Sequence, residues 1–396
     1  MNALDQIFVS TSHWLTGLTP ASVQPLVSMA LAIAGLMAVF GTCFAVATIC
    51  ERKILGRMQN RFGPNRVGPF GLFQPLADGV KMLIKEDIVP FSADHAVHFL
   101  APLALTVPVW LAFAVLPFGR NMSAIDLDAG ILFFFAIGSA SELAVFMAGW
   151  SSQNKYALLG AMRAIAQMIS YEVPLVLASI PVLMAAGSLS LPAIVQAQNG
   201  AVMGGLPRWN VFTPWGLAGF GLFMIAAAAE SNRCPFDLPE GESELIAGFL
   251  TEYSGFKYAL FFLGEYLGLF AVTGLAVTLF LGGWQAPAAA LEWLPSWGWF
   301  AVKFSALIFL FIWVRATLPR LRLDQLLNFA WKFLVPLALV NLVVAVVWWQ
   351  SGAWRFPGAL ELRWLFGAGL LAGPYLWLGR ALKGGKPAPH QYRYAE

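Results

Sequence analysis

Charge is what this 396-residue chain has least of: Asp, Glu, Lys and Arg together make up 11% of it. So dilute a charge complement excludes a water-soluble globular surface, because ordinary soluble domains carry about 25% charged residues. Cysteine is nearly as scarce. Cys43, Cys50 and Cys234 form no CxxC pair and no pairable framework, so neither a disulfide scaffold nor an iron–sulfur site is indicated. The histidines (His13, His95, His98 and His390) are scattered and suggest no metal set. GxGxxG, GxxxxGKS/T and HExxH motifs are missing, which removes the usual support for nucleotide binding or zinc hydrolysis.

What is abundant is apolar surface. Hydrophobic residues make up 59% of the chain and the mean hydropathy is +0.70, values of a polytopic membrane protein. A bilayer core needs ~20 apolar residues per helix. On that measure spans fall near 23–50, 98–117, 130–150, 161–186, 215–232, 258–282, 298–318, 333–350 and 362–380. The fold class expected is all-α, a transmembrane helical bundle. Residues 1–22 contain no Lys or Arg and read as an external polar tail without a cleavable signal.

Cytoplasmic loops hold an excess of Lys and Arg. With the N-terminus outside, every one of the 24 basic residues lies in an inner segment except Arg120, Arg208, Lys303, Arg355 and Arg363. The basic tail of Lys383, Lys386 and Arg393 is then inside, provided the ninth span is real.

The first inner loop reads ERKILGRMQNRFGPNRVGPFGLFQPLADGVKMLIKED. Gly63, Pro64, Gly68, Pro69 and Gly71 forbid a continuous helix there. From Leu72 a helix resumes, with Leu72, Phe73, Leu76, Val80, Leu83 and Ile84 on one face and Gln74, Asp78, Lys81 and Lys85 on the other. That pattern suits a helix lying along the membrane surface. No internal repeat stands out, which weakens an inverted-repeat transporter reading.

Acids are few but concentrated. Glu230, Asp237, Glu240, Glu242, Glu244, Glu252 and Glu265 are a third of the chain's 21, and all fall between residues 230 and 265. Glu142 and Glu172 lie inside other expected spans, Glu142 beside the small residues Gly138, Ser139, Ala140 and Ser141, and Glu172 beside Pro174, which should kink its helix. At ~1.5 Å per residue, Glu142 and Glu265 lie roughly 12 Å from the inner ends of their spans and Glu172 roughly 16 Å. Glu230 reads as close to the inner surface. Ionised and isolated, the four membrane acids Glu142, Glu172, Glu230 and Glu265 would cost on the order of 10 kcal/mol. Either they carry protons, or they share a hydrated cavity with each other and with basic partners. Both arrangements suit proton transfer. They fit a proton-coupled secondary transporter or a redox-linked pump whose electrons arrive through partner chains.

Four stretches carry a more specific signal: the first inner loop quoted above, AMRAIAQMISYEVPLVL, AESNRCPFDLPEGESELIAGFLTEYSGFKYALFFLGEY and VRATLPRLRLDQLLNFAWKF. In order and spacing they resemble the family of the H-type membrane-arm component of proton-pumping NADH:quinone oxidoreductase, respiratory complex I. The mitochondrial counterpart is NADH dehydrogenase subunit 1. The resemblance runs from about residue 23 to about residue 350. It implies eight family helices and a quinone-access tunnel in a bacterial inner membrane. Quinone, with ubiquinone the expected species, would be the substrate, and FMN and iron–sulfur clusters would sit in partner subunits. The implied partners are the peripheral quinone-site subunits, the antiporter-like membrane subunits and lipid, with no nucleic acid. Matching positions for a proton path are Glu142, Glu172, Glu230, Asp237, Glu240, Glu242, Glu244, Glu252 and Glu265. Arg52, Arg61, Phe73, Asp78 and Arg233 are the candidates for the quinone tunnel or cavity, and Arg315, Arg320 and Arg322 balance nearby acids.

The chain departs from the family in two places. About 45 residues follow the eighth span, so a core of 1–350 and an extension of 351–396 are expected. RLRLDQ also carries leucines where the family often shows aromatics. A membrane subunit of an energy-converting hydrogenase or formate hydrogenlyase is the related alternative, though GPNRVGP and QPLADG favour the quinone enzyme.

Overall fold

An N-terminal segment expected to be a tail is instead docked. In the computed structural model, which describes residues 3–202, 206–237, 246–288, 291–353 and 359–383, a 3-10 turn (Ala3–Gln6) leads into α1 (Ile7–Gly17). Asp5 is buried and accepts hydrogen bonds from the backbone N–H (2.7 Å) and hydroxyl of Ser296, while the Gln6 amide donates to the Arg120 carbonyl. Phe8 packs edge-on against Trp297. The chain start therefore shares one side of the bundle with the loops around residues 120 and 295.

Next, α2 (Gln24–Met58) runs 35 residues, eight beyond the expected end of the first span. At ~1.5 Å per residue it is about 52 Å long, against a hydrocarbon core of ~30 Å. Glu51 and Arg52 are thus helical residues. The turn-rich path that follows holds Gly68 and Gly71 at φ 70° and 75°, and a Cβ on Gly71 would sit 2.2 Å from the Pro64 carbonyl. Only glycine permits that approach. Then α3 (Gln74–Ile84) leaves Leu76, Val80, Leu83 and Ile84 exposed, as expected of a surface-lying helix.

The bundle proper begins with α4 (His95–Val115), whose first N–H groups at Ala96 and Val97 donate to the Asp94 side chain. It packs along α5 (Gly130–Ser151), and α5 packs along α6 (Lys155–Ala186), which is continuous through Pro174 and Pro181. A short α7 (Leu191–Ala197) and a two-residue antiparallel ladder of β1 (Ala201–Val202) with β2 (Leu206–Pro207) lead into α8 (Pro214–Glu230). Thr213 caps α8, its hydroxyl accepting from the Gly216 N–H at 3.1 Å, with Pro214 at the first helical position. The helices α9 (Gly255–Phe280), α10 (Ser296–Thr317), α11 (Leu323–Gln350, with a π-helical segment at Ala330–Leu334) and α12 (Ala359–Lys383) complete the chain.

Among the described residues, seven helices are long and apolar enough to cross a membrane: α2, α4, α5, α6, α9, α10 and α11. The apolar α8 is shorter, at 17 residues, and α12 falls outside that set. Two glycines bring the central helices together. A Cβ on Gly149 of α5 would lie 2.3 Å from the Ala161 Cβ of α6, and one on Gly264 of α9 would lie 2.9 Å from the Leu105 side chain of α4. Without side chains at these crossings the helices approach closely, and the same crossings enclose the site described below.

Opposite the N-terminal side, the connections lock to one another. Lys257 pairs with Asp87 at 2.8 Å, and the Ser254 hydroxyl accepts from the Ile88 N–H. On the N-terminal side the clamp is Lys303. Its ammonium donates to the carbonyls of Leu281, Gly283 and Gln285 at 2.7, 2.9 and 2.7 Å and lies 3.9 Å from the Trp209 ring centroid. All three N–H donors are used on the chain leaving α9. Lys303→Met should therefore lower stability by about 3 kcal/mol, since hydrogen bonds to a charged donor are worth ~1.5–3 kcal/mol each. Thermal unfolding of the purified protein would read this, and an unchanged midpoint would refute it.

Candidate functional site

Four of the sequence-chosen acids meet inside the bundle. Glu142 on α5 and Glu172 on α6 are close neighbours, and the Ser139 hydroxyl donates to Glu172 Oε1 at 2.5 Å. Glu230, the last residue of α8, points its Oε1 to within 3.7 Å of where a Cβ on Gly138 would be. Its Oε2 is buried without a hydrogen-bond partner among the described residues. The small residues beside Glu142 thus make room for the other two acids rather than for a bare helix crossing.

Glu230 lies deeper than the sequence suggests. Gly138 is 13 residues from the inner end of α5, about 20 Å along the helix at ~1.5 Å per residue. The chain after α8 folds back into the bundle and carries α8's end with it. Gln167, fully buried on α6, fixes this turn by donating to the carbonyls of Ala229 and Phe236, each at 2.6 Å. Asn232 follows with φ 49°, a left-handed conformation that asparagine tolerates.

A cavity of about 70 Å³ lies between α4, α5, α6, α8 and α9, with Glu230, Glu265, Ser141 and Asn232 among its walls. At the ~10–15 Å³ that one water occupies on this measure, it has room for a few waters. Carboxyl groups around such a space can pass protons to one another through water or directly.

Beside the cavity is a second cluster, and the sequence reading missed its centre. Glu51 is 4% exposed and receives hydrogen bonds from Arg233 (3.1 and 3.3 Å), Arg315 and the Tyr266 hydroxyl. Arg233 also stacks on Tyr266, 3.9 Å from the ring centroid, and its Nη2 has no hydrogen-bond partner among the described residues. The two clusters are one residue apart twice over. Glu265 lines the acid cavity while Tyr266 lines the arginine pocket; Asn232 lines the first and Arg233 the second. One carboxylate against two guanidiniums leaves an excess positive charge, which couples electrostatically to the adjacent acids.

The remaining sequence-chosen residues sit elsewhere. Asp237 pairs with Arg320 at 3.6 Å, and Glu252 accepts from the Asn154 amide at 2.7 Å at the α5–α6 turn. Arg52, the next residue of α2 after Glu51, pairs with Asp78 of α3 at 2.6 Å, and Gln74 donates to the same carboxylate at 3.1 Å. Partial burial pushes the Asp78 carboxyl up, but Arg52, Gln74 and Lys81 outweigh it and hold the group below its ordinary value. Phe73 is exposed near this pair, and Arg61 is exposed with its side chain on Gln59. Glu240, Glu242 and Glu244 lie outside the described residues. Among the described residues no His, Cys, Asp or Glu group is arranged to hold a metal ion.

A family model described as NADH dehydrogenase matches residues 31–346. Among curated relatives, the H subunit of the NADH-quinone oxidoreductase of Dehalococcoides mccartyi is 53% identical over 74% of this chain and 79% of its own length. The corresponding protein of Geobacillus kaustophilus is 50% identical over 81% of this chain and 93% of its own. That of Polaromonas naphthalenivorans is 42% identical over 88% and 98% respectively. The apolar helices, the buried carboxyl groups and these matches agree, and the chain belongs to the NADH dehydrogenase family, as the H-type membrane component of NADH-quinone oxidoreductase, complex I.

Proposed function

We propose that this subunit forms the quinone-access tunnel of its complex and couples quinone reduction to proton movement through its buried carboxyl groups. The observation that carries the reading is the adjacency of the two clusters. Glu230 and Glu265 line one small cavity, Glu142 and Glu172 lie beside Glu230, and the Glu51–Arg233–Arg315–Tyr266 cluster adjoins the cavity through single peptide links. Reduction of a quinone to its quinol takes two electrons and two protons. The electrons come from an iron–sulfur cluster in a partner subunit, and the protons leave local donors whose charge state then changes. A new charge at the inner side shifts the arginine–glutamate cluster, and the acids one residue away respond by exchanging protons.

In this reading quinone enters from the bilayer past α2 and α3, where Arg52, Arg61, Phe73 and Asp78 line the approach, and Arg233 stands at its inner end. Asp237, Glu240, Glu242, Glu244 and Glu252 extend the acidic path toward the inner surface, and Glu265 continues it toward the antiporter-like subunits. Residues 1–350 form this core and 351–396 an extension, in a bacterial inner membrane with the N-terminus outside. An azido-quinone should label α2–α3 peptides of the assembled complex under illumination, in competition with unmodified ubiquinone. Labelling confined to partner subunits would refute the tunnel assignment.

A further inference from the structure

The largest cavity described lies at the other end of the molecule from the acids, with a volume of about 310 Å³. Its walls include Arg208, Trp209, Trp215, Trp348, Trp349 and Trp364. We infer that this cavity binds the phosphate-bearing head of a membrane phospholipid in the leaflet opposite the acid-rich loop, and that the C-terminal extension completes the site.

Position comes first. The walls are drawn from the last turn of α6 (Ala185, Ala186), the first turn of α8, the last turn of α11 and the start of α12. All are helix ends on the Lys303 side, the depth at which lipid heads and their glycerol backbones sit and where tryptophans concentrate. The volume falls at the lower end of the ~300–1,000 Å³ typical of small-molecule sites.

Hydrogen-bonding capacity then selects the ligand. The Gln198 and Asn210 amides are spent on the Thr278 and Leu279 carbonyls, and the Thr213 hydroxyl caps α8. What remains is donors. Arg208 is exposed, anchored through its backbone N–H to the Gly200 carbonyl, and makes no side-chain hydrogen bond or ion pair among the described residues. Trp215 is 4% exposed, yet its indole N–H has no acceptor among the described residues. No acidic residue is among the walls. A buried donor needs an acceptor, and an unpaired guanidinium beside it favours an anionic one. Five indoles around that charge suit the glycerol and upper acyl carbons better than a freely hydrated anion.

The extension's part is physical contact. A Cβ on Gly367 of α12 would lie 3.3 Å from Pro214 at the start of α8 and 3.7 Å from Trp348. Arg363 stacks on Trp348, 4.4 Å from the ring, and donates to the Trp348 carbonyl at 2.7 Å. These contacts hold α12 against α8 and α11 and bring Trp364 to the cavity. Trp348, Trp349 and Trp364 all lie beyond residues 31–346, the stretch matched by the family model.

The test uses the assembled complex, delipidated and reconstituted in vesicles of phosphatidylcholine and phosphatidylglycerol doped with a phosphatidylglycerol whose photoreactive group is near the head. Illumination should give adducts on peptides containing Arg208–Trp215 and Trp364. Arg208→Gln should lower those adducts about tenfold, the effect of losing one charge-assisted hydrogen bond, and leave adducts elsewhere on the chain unchanged. Trp364→Ala should lower them as well. Equal labelling of the Arg208→Gln protein, labelling absent from these peptides, or displacement by inorganic phosphate or by free quinone would each overturn the assignment.

Discussion

Glu51→Gln should lower the stability of this protein by about 3–5 kcal/mol, the range for removing one partner of a buried charge group. The glutamate and Arg233 side chains are 5% and 11% exposed, so little water reaches Arg233 to replace what Glu51 supplies, whereas Arg315, 34% exposed, keeps part of its hydration. Glutamine keeps the shape and can still accept from the Tyr266 hydroxyl, so the loss isolates the charge. The double variant Glu51→Gln with Arg315→Met removes one uncompensated cation and should recover part of the deficit. Thermal unfolding of the purified complex in mild detergent, with the yield of assembled complex, reads both. Wild-type stability in the single variant, or a double variant less stable than the single, would show that the cluster does not hold α2, α9 and α10 together.

The signal for Glu51 was present in the sequence but was cut off by the wrong ruler. Phe40, Phe44 and Ala47 form an inward stripe on α2 at helical spacing, and Glu51 is its next member. Bilayer thickness, used to end the first span at residue 50, fixes where a helix leaves lipid and not where it ends. One residue on, Arg52 is rotated about 100° around the helix and emerges exposed on Asp78, so the tunnel candidate visible in the sequence is the neighbour of the buried one. The bundle itself was legible because long apolar runs have few other folds open to them in lipid. Pairing of Glu142 with Glu172 was not, since the rotation of two helices about their axes depends on distant contacts such as Gly149 against Ala161. Glu230 was placed too shallow for a related reason: counting from the charged loop assumes the loop lies at the surface, whereas Gly248 packs on Gly160 and Phe249 reaches the acid cavity.

Because Glu230 has one oxygen without a partner among the described residues and faces both Glu142 and Glu172, it is the member of the cavity best placed to take a proton from one neighbour and release it to another. Glu230→Gln preserves volume and hydrogen bonding but cannot ionise. In complex reconstituted in sealed vesicles, NADH-driven quinone reduction and proton translocation should fall together by about a hundredfold, at the low end of the ~10²–10⁴-fold that a positioned proton-transfer group contributes. A fall in both argues that the cavity is on the obligatory path, because a side branch would slow translocation while leaving electron transfer free. Asp126→Asn supplies the comparison. That carboxylate lies exposed on the opposite side, accepting from the Ser190 hydroxyl at 3.1 Å, and its loss should change neither rate. Glu142→Gln should behave as Glu230→Gln does, since an amide beside Glu172 can neither take up nor release a proton. Full pumping in vesicles carrying Glu230→Gln would remove this carboxyl group from the path and with it the reason for the cavity's position beside Arg233 and Tyr266.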